Sequence, residues 1–192
     1  MSAAAFAQVC ADAPAGELTF SCASSDLELA RAAAFRRRVF MDRRGVSFDE
    51  ALEARRDREG HVLLLRDTGA PAATARVLPH PSPLAALALA PALAAHGADS
   101  EVGRIAAVAS PQAARLSLVL LTLGSIWLLR NTGLVCYVAY CHPRLLDLYR
   151  TVGAEDTGLA VAVPGRDAPH RIICGSYADA ARLGGRRLGI AP

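Results

Sequence analysis

Residues 116–129, LSLVLLTLGSIWLL, carry no charge, and this run constrains the fold more than any other feature. A helix that is apolar all round either crosses a membrane or is wrapped by protein. A span needs about 20 apolar residues, and this run is too short, stopping at Arg130-Asn131-Thr132-Gly133. Pro111 suits a first helical turn and Asn131-x-Gly133 suits a helix end, so a buried helix is expected over 111–131. The next apolar stretch, Leu134–Tyr140 (LVCYVAY), is continuous and not alternating, as in a strand covered on both faces. A buried helix beside a buried strand implies a layered domain with helices on both sides of a sheet.

The remaining chain supplies those layers. Glu17–Ala23 alternates like a strand, and Ser24-Ser25-Asp26 then caps a helix running to about Asp42. FDEALEARRDREG is a short polar helix. HVLLLR (61–66), a turn at Asp67-Thr68-Gly69 and AATARVL (72–78) read as a hairpin. A proline-rich break over 79–83 leads to an alanine- and leucine-rich helix ending near Gly97. After the central helix and strand, a helix is expected over 142–152, then strands over 159–163 and 170–175, and a last short helix. The expectation is a three-layer α/β fold, an α+β mixed sheet that is mostly antiparallel and splayed at its fourth strand. Residues 1–15 read as a leader and 16–192 as one domain.

Charge and cysteine content exclude some functions. All basic residues are arginine, 21 in number, and the net charge is +3. They cluster at Arg36–Arg38, Arg43-Arg44 and Arg55-Arg56, which suits an acidic partner such as a carrier protein or a phosphate-bearing cosubstrate. No helix-turn-helix, finger or ribonucleoprotein motif accompanies them, so nucleic acid is not expected as a partner. The cysteines Cys10, Cys22, Cys136, Cys141 and Cys174 show neither disulfide nor metal-ligand spacing. Free thiols, no metal, no transmembrane segment and a cytoplasmic location are expected.

SEVGRIAAV, residues 100–108, is a strand with an anomaly. Charged side chains are seldom buried unless paired or used, yet Glu101 and Arg104 flank Gly103 here. Residues three apart in a regular strand face opposite sides. A β-bulge at Gly103 brings both side chains to one side and turns backbone N–H groups out of the ladder. An irregularity is expected between Gly103 and Val108.

The order of elements resembles the GNAT fold. Arg36-x-x-x-Phe40-x-x-Arg43, then Asp49, TARVLP (74–79) and EVGRIAAV (101–108), resembles the acyl-homoserine lactone synthases and the related N-acyl amino acid synthases. LLDLYRTVGAE resembles the helix common in acyltransferases. The resemblance implies acyl transfer from a thioester to an amine. It implies Glu101 as the group that takes the amine's proton and Tyr149 as the one that protonates the leaving thiolate. Arg36, Phe40, Asp49, Arg76 and Arg104 would bind the acceptor. Ile105, Ala106, Ala107, Val108, Arg115, Trp127 and Val138 would hold the acyl chain and pantetheine arm. Cys141-His142 is read as a strand end and helix start, not as a nucleophilic dyad.

Two departures refine the expectation. Val46 stands where the lactone synthases usually carry a tryptophan, which argues against lactone formation from S-adenosylmethionine. Ala109-Ser110-Pro111-Gln112 replaces the glycine-rich phosphate loop of acetyl-CoA enzymes, which suits an acyl carrier protein without excluding acyl-CoA. The expected reaction moves a medium or long fatty acyl group from acyl-CoA or an acyl carrier protein, with no tightly bound cofactor. The acceptor is an amino acid or an ornithine- or lysine-like side chain of a biosynthetic peptide. A quorum-signal lactone synthase is the alternative enzyme, a non-catalytic GNAT-like domain the alternative of another class. Homodimerisation is compatible with either.

Overall fold

A computed structural model describes residues 18–42, 45–47, 49–81, 90–163 and 167–189. The expected leader and the first part of the expected alanine–leucine helix, residues 84–89, lie outside the described residues, and its second part is helical as expected. The elements run β1 (Leu18–Cys22), α1 (Asp26–Arg37), α2 (Glu50–Glu59), β2 (His61–Asp67), β3 (Ala70–Pro79), α3 (Ala90–His96) and β4 (Ser100–Ala107). They continue with α4 (Ala113–Asn131), β5 (Cys136–Cys141), α5 (Leu146–Arg150), β6 (Glu155–Val161), β7 (His170–Ser176) and α6 (Tyr177–Arg187). The strands form one sheet in the order β1-β2-β3-β4-β5-β7-β6. Every neighbouring pair is antiparallel except β4 and β5.

Local chemistry starts these elements where expected. The Ser25 hydroxyl accepts from Glu28 N, and the Glu28 carboxylate accepts from Ser24 N, closing the first turn of α1 from both ends. At the β2–β3 turn, Thr68 (φ 48°) and Gly69 (φ 83°) both adopt the left-handed conformation that a two-residue hairpin requires. The expected helix to Asp42 is α-helical only to Arg37 and continues as a π turn over Arg38–Asp42. The helix expected over 142–152 divides into a 3₁₀ turn at Pro143–Leu145 and α5. β6 begins at Glu155, earlier than expected. Its pairing with β7 slips between Asp156 and Ala160, and Gly158 sits there at φ 81°.

α4 and α6 cover one face of the sheet. Leu116, Val119, Leu120, Leu123 and Leu128 pack there with Leu63, Leu65, Val77 and Ile173. Burying one such leucine contributes about 2 kcal/mol. α4 meets the sheet closely enough that a Cβ on Gly124 would stand 2.5 Å from Leu63 Cδ1. Among the described residues, α4 is the one helix long and apolar enough to cross a membrane, and here it is the core of the domain. The other face carries α1, with Ala32 against Val62 and Leu64, and α3, with Ala92 against Val138 and Ile172.

The feature that positions the site lies in mid-sheet. β4 pairs with β5 only where Ser100–Val102 face Tyr137–Ala139. Asp99 aligns the two strand starts, since its Oδ2 accepts from Val135 N at 2.7 Å and Cys136 N at 3.4 Å. Beyond Val102 the strands part. On the other side of β4, Arg76 faces Gly103 while Thr74 faces Ala106, so Arg104 and Ile105 together oppose Ala75. That is the expected bulge. Its left-handed residue is Arg104 (φ 54°), not Gly103. A non-glycine residue in that region costs about 1–2 kcal/mol, and something must hold it.

Candidate active site

What holds Arg104 is a buried ion-pair network. Its Nε and Nη2 donate to the two carboxylate oxygens of Glu53 on α2, each at 2.8 Å, as a bidentate fork. Glu53 also accepts from Arg76 Nη1 at 2.9 Å, and that nitrogen stands 3.2 Å from Asp57 Oδ1. Asp57 pairs in turn with Arg36 on α1. Burial opposes ionisation of Glu53, but Arg104 and Arg76 outweigh it and hold the carboxyl at about 2. Burial likewise lowers the Arg36 guanidinium, and Asp57 offsets it. For Arg104, burial is outweighed by Glu53, so its value rises. The network ties α1 and α2 to the sheet at the bulge.

The parting of β4 from β5 opens a cavity of about 440 Å³. Gly103, Arg104 and Ile105 form its β4 wall, Tyr140, Cys141 and His170 its β5–β7 wall, and Phe40 and Tyr149 reach it from flanking helical turns. Glu101 is 3% exposed. A Cβ built on Gly103 would stand 3.7 Å from Glu101 Oε1 and meet nothing else within 4 Å. The missing side chain at Gly103 therefore leaves the Glu101 carboxylate beside the cavity wall. Burial raises the Tyr140 hydroxyl, with Arg104 opposing and Glu101 and Glu53 adding to the rise.

A second groove of about 500 Å³ runs between the end of β4, the first turns of α4 and α5. Ile105, Ala107, Val108, Ala113 and Ser117 line it, and Tyr149 and Leu145 border both groove and cavity. A narrow apolar slot of about 30 Å³ lies under the sheet against α4 and α6. It shares Val102, Ile105, Ala139, Tyr149 and Ile173 with the main cavity. Val39 faces the groove and Phe40 the cavity, so the π turn of Arg38–Asp42 serves both.

The structure thus brings Phe40, Arg104, Ile105 and Tyr149 to one cavity, with Glu101 behind Gly103. Arg36 and Arg76 stand behind Arg104 in the network and do not line that cavity. Asp49 caps α2, its Oδ1 accepting from Leu52 N at 3.0 Å, so its carboxylate is committed to the helix. Ala106 is buried under Phe35, Val39 and Phe40, while Ala107 and Val108 line the groove. Arg115 is exposed in the first turns of α4.

Two residues expected in the acyl channel lie elsewhere. Val138 faces Ala92 and Ile172 on the opposite side of the sheet from α4. Trp127 packs its ring edge-on to His61, 5.5 Å away, near the far end of α4. Cys141 is buried, which pushes its thiol up to about 11 and rules out a resting thiolate.

Sequence reasoning missed Glu53, Asp57, Tyr140 and His170. A signal for the first two was present. Two acids four residues apart on one helix face repel each other, and that arrangement is stable against a basic partner such as Arg76.

A mixed seven-stranded sheet that splits between its fourth and fifth strands, with helices on both faces and a cleft at the split, is the GNAT-like fold. Among solved structures, the chain is similar to FeeM, an N-acyl amino acid synthase from uncultured soil microbes. That match has a TM-score of 0.70 and 17% identity, over 88% of this chain and 94% of that one. TofI, solved in a ternary complex with an inhibitor and MTA, gives 0.63 and 22% over 91% and 97%. An acyl-CoA N-acyltransferase from Pseudomonas aeruginosa gives 0.60 and 15% over 82% and 99%. No family model matches the sequence, and no curated protein matches it.

Proposed function

We propose that this protein is an N-acyltransferase. It moves an acyl group from a pantetheine thioester, carried by coenzyme A or an acidic acyl carrier protein, to the amine of an amino acid or of an ornithine- or lysine-like side chain. The observation that carries the reading is the split at the bulge. It joins the groove at α4 to a cavity bordered by a buried carboxylate and an arginine fork.

In this reading the pantetheine arm lies in the groove, with the thioester carbonyl beside the bulge at Arg104–Ile105. Backbone N–H groups released from the ladder there donate to the carbonyl oxygen as it becomes anionic. Glu101 takes a proton from the acceptor nitrogen, directly or through one water, and Tyr149 protonates the leaving sulfur. The first carbons of the acyl chain enter the apolar slot between Ile105, Leu121 and Leu128. The slot as it stands has room for one water-sized group, so a medium or long chain displaces side chains of α4. Arg104 faces the acceptor, and its cluster with Arg36, Arg56 and Arg76 favours an acceptor bearing a carboxylate.

The test is incubation of the purified protein with acyl-CoA and acyl carrier protein thioesters of graded length and a panel of amines. Thiol release is followed by colour and product by mass spectrometry. Amide formation with thiol release supports the reading. Methylthioadenosine release from S-adenosylmethionine would make it a lactone synthase, and inertness towards every pair would leave a non-catalytic domain.

A further inference from the structure

Resting on that reading, we propose that Arg144 and the Tyr140 hydroxyl bind a carboxylate on the acceptor, which makes the acceptor a free α-amino acid and not a side-chain amine of a peptide. Both residues line the main cavity on the β5 side of the split. The described lining of that cavity carries two cations, Arg104 and Arg144, and no carboxylate, since Glu101 stands behind Gly103. Arg104 closes its fork on Glu53, so its charge is already met by an acid. Arg144 has no acid within ion-pair distance among the described residues, whereas Arg150 and Arg182 take Asp147 and Asp179 on their own helices. Asp167 is the acid that feels Arg144, but it is held by His142 Nε2 at 3.1 Å and lies outside the cavity lining.

The backbone that carries Arg144 is pinned. β5 ends at Cys141, and the 3₁₀ turn Pro143–Leu145 follows at once. His142 Nδ1 accepts from Arg144 N at 3.2 Å, and the His142 carbonyl accepts from Leu145 N at 2.9 Å. Proline at the start of the turn presets its φ. A guanidinium on such a turn at the cavity rim offers a planar fork that matches a carboxylate.

Tyr140 supplies the second donor. Glu101 pairs with Val138, and Tyr140 lies two residues beyond Val138, so all three share one face of the sheet. Val102, Ala139 and Ile173 face the other way, where they line the apolar slot against α4. The acyl chain and the acceptor therefore have opposite faces of the split. Tyr140 is held by its ring, edge-on to His170 at 6.0 Å, and its hydroxyl makes no hydrogen bond among the described residues. Burial raises that hydroxyl, so it keeps its hydrogen and donates.

An α-amino acid carries its amine and its carboxylate on one carbon. With the nitrogen beside Gly103 and Glu101, the carboxylate lies across the cavity toward Tyr140 and Arg144. A lysine- or ornithine-like side chain of a peptide has no carboxylate on the carbon that bears its amine. Neither donor is then met, and any further cation on the acceptor faces two like charges.

The test measures kcat/KM with decanoyl-CoA and with decanoyl carrier protein. The acceptors are the common α-amino acids, each beside its carboxamide, and Nα-acetyl-lysine amide. A hydrogen-bonded contact to a charged group is worth about 10–100-fold, so the amino acid should exceed its carboxamide by that factor. Arg144→Gln should raise the KM for the amino acid about 10–100-fold, with the KM of the thioester unchanged and the carboxamide within threefold. Tyr140→Phe should act in the same direction by about 3–10-fold. Arg144→Lys keeps the charge without the fork and should fall between wild type and Arg144→Gln. A merely structural role would weaken both acceptors alike, so a ratio of amino acid to carboxamide unchanged in either variant overturns the proposal. So does a wild type that prefers the carboxamide or Nα-acetyl-lysine amide. A wild type inert towards every thioester overturns the acyltransferase reading itself, whereas an active wild type indifferent to the carboxylate overturns this inference alone.

Discussion

Replacing Glu53 with glutamine changes one atom in size and removes the charge at the centre of the network. Glu53 is 6% exposed and receives the Arg104 fork and Arg76 Nη1, all within 2.9 Å, with Arg56 Nη1 at 3.6 Å. Breaking a buried ion pair on one side costs about 3–5 kcal/mol, because the partner's charge stays buried without compensation. An independent route gives the same size. The carboxyl is lowered from 4.5 to about 2, and at about 1.4 kcal/mol per pKa unit that difference is worth about 3 kcal/mol. A chain of this size loses about 2–4 °C of Tm per kcal/mol, so Glu53→Gln is expected to melt about 6–12 °C lower at pH 7. The sign with pH follows from the direction of the shift. A depressed folded value stabilises above the unfolded value of 4.5 and is lost as pH falls toward 2. The gap between wild type and variant should therefore be full at pH 6–7 and close progressively below about pH 4.5. Calorimetry of both proteins from pH 3 to 7 reads this directly. A variant that melts within 2 °C of the wild type at pH 7, or a gap that widens in acid, would refute the assignment of Glu53 as the hub.

Three further outcomes follow from the same geometry. Gly103→Val puts a branched side chain into open cavity beside Glu101, and the backbone there is not left-handed; melting should change by less than about 1 kcal/mol in equivalent stability, while amine turnover falls at least tenfold. Ser125→Val narrows the slot bordered by Leu121 and Leu128, and competition between thioesters should then favour the shorter acyl chain. Cys141→Ala removes a thiol raised to about 11 by burial. It should leave turnover within threefold, and trapping of a Cys141-linked acyl group by mass spectrometry would contradict that.

Glu101 and Arg104 stand out in sequence as two charges flanking a glycine within an apolar strand. In space the Arg104 fork closes on Glu53, 51 positions away, and the bulge that the motif implied is what lets it do so. Asp49, which the resemblance assigns to the acceptor, instead caps α2 through a hydrogen bond from Leu52 N. Val138 shows the limit from another side. An unbroken apolar strand has no polar alternation to say which side chains face which layer, so LVCYVAY announced burial without assigning faces. β6 slipped for the opposite reason, since an edge strand with few buried residues has little to fix its register.

Short-range chemistry was therefore enough to write down the order of elements. It gave the capping serine, the hairpin turn, the apolar central helix and the kink in the fourth strand, since each depends on residues within a few positions of one another. Tertiary structure alone decided which carboxylate anchors Arg104, that β5 leaves β4 after Val102, and that Phe40, Tyr140, Tyr149 and His170 meet at the gap. Those contacts join residues distant along the chain, and their energies depend on mutual burial and orientation that no local pattern encodes.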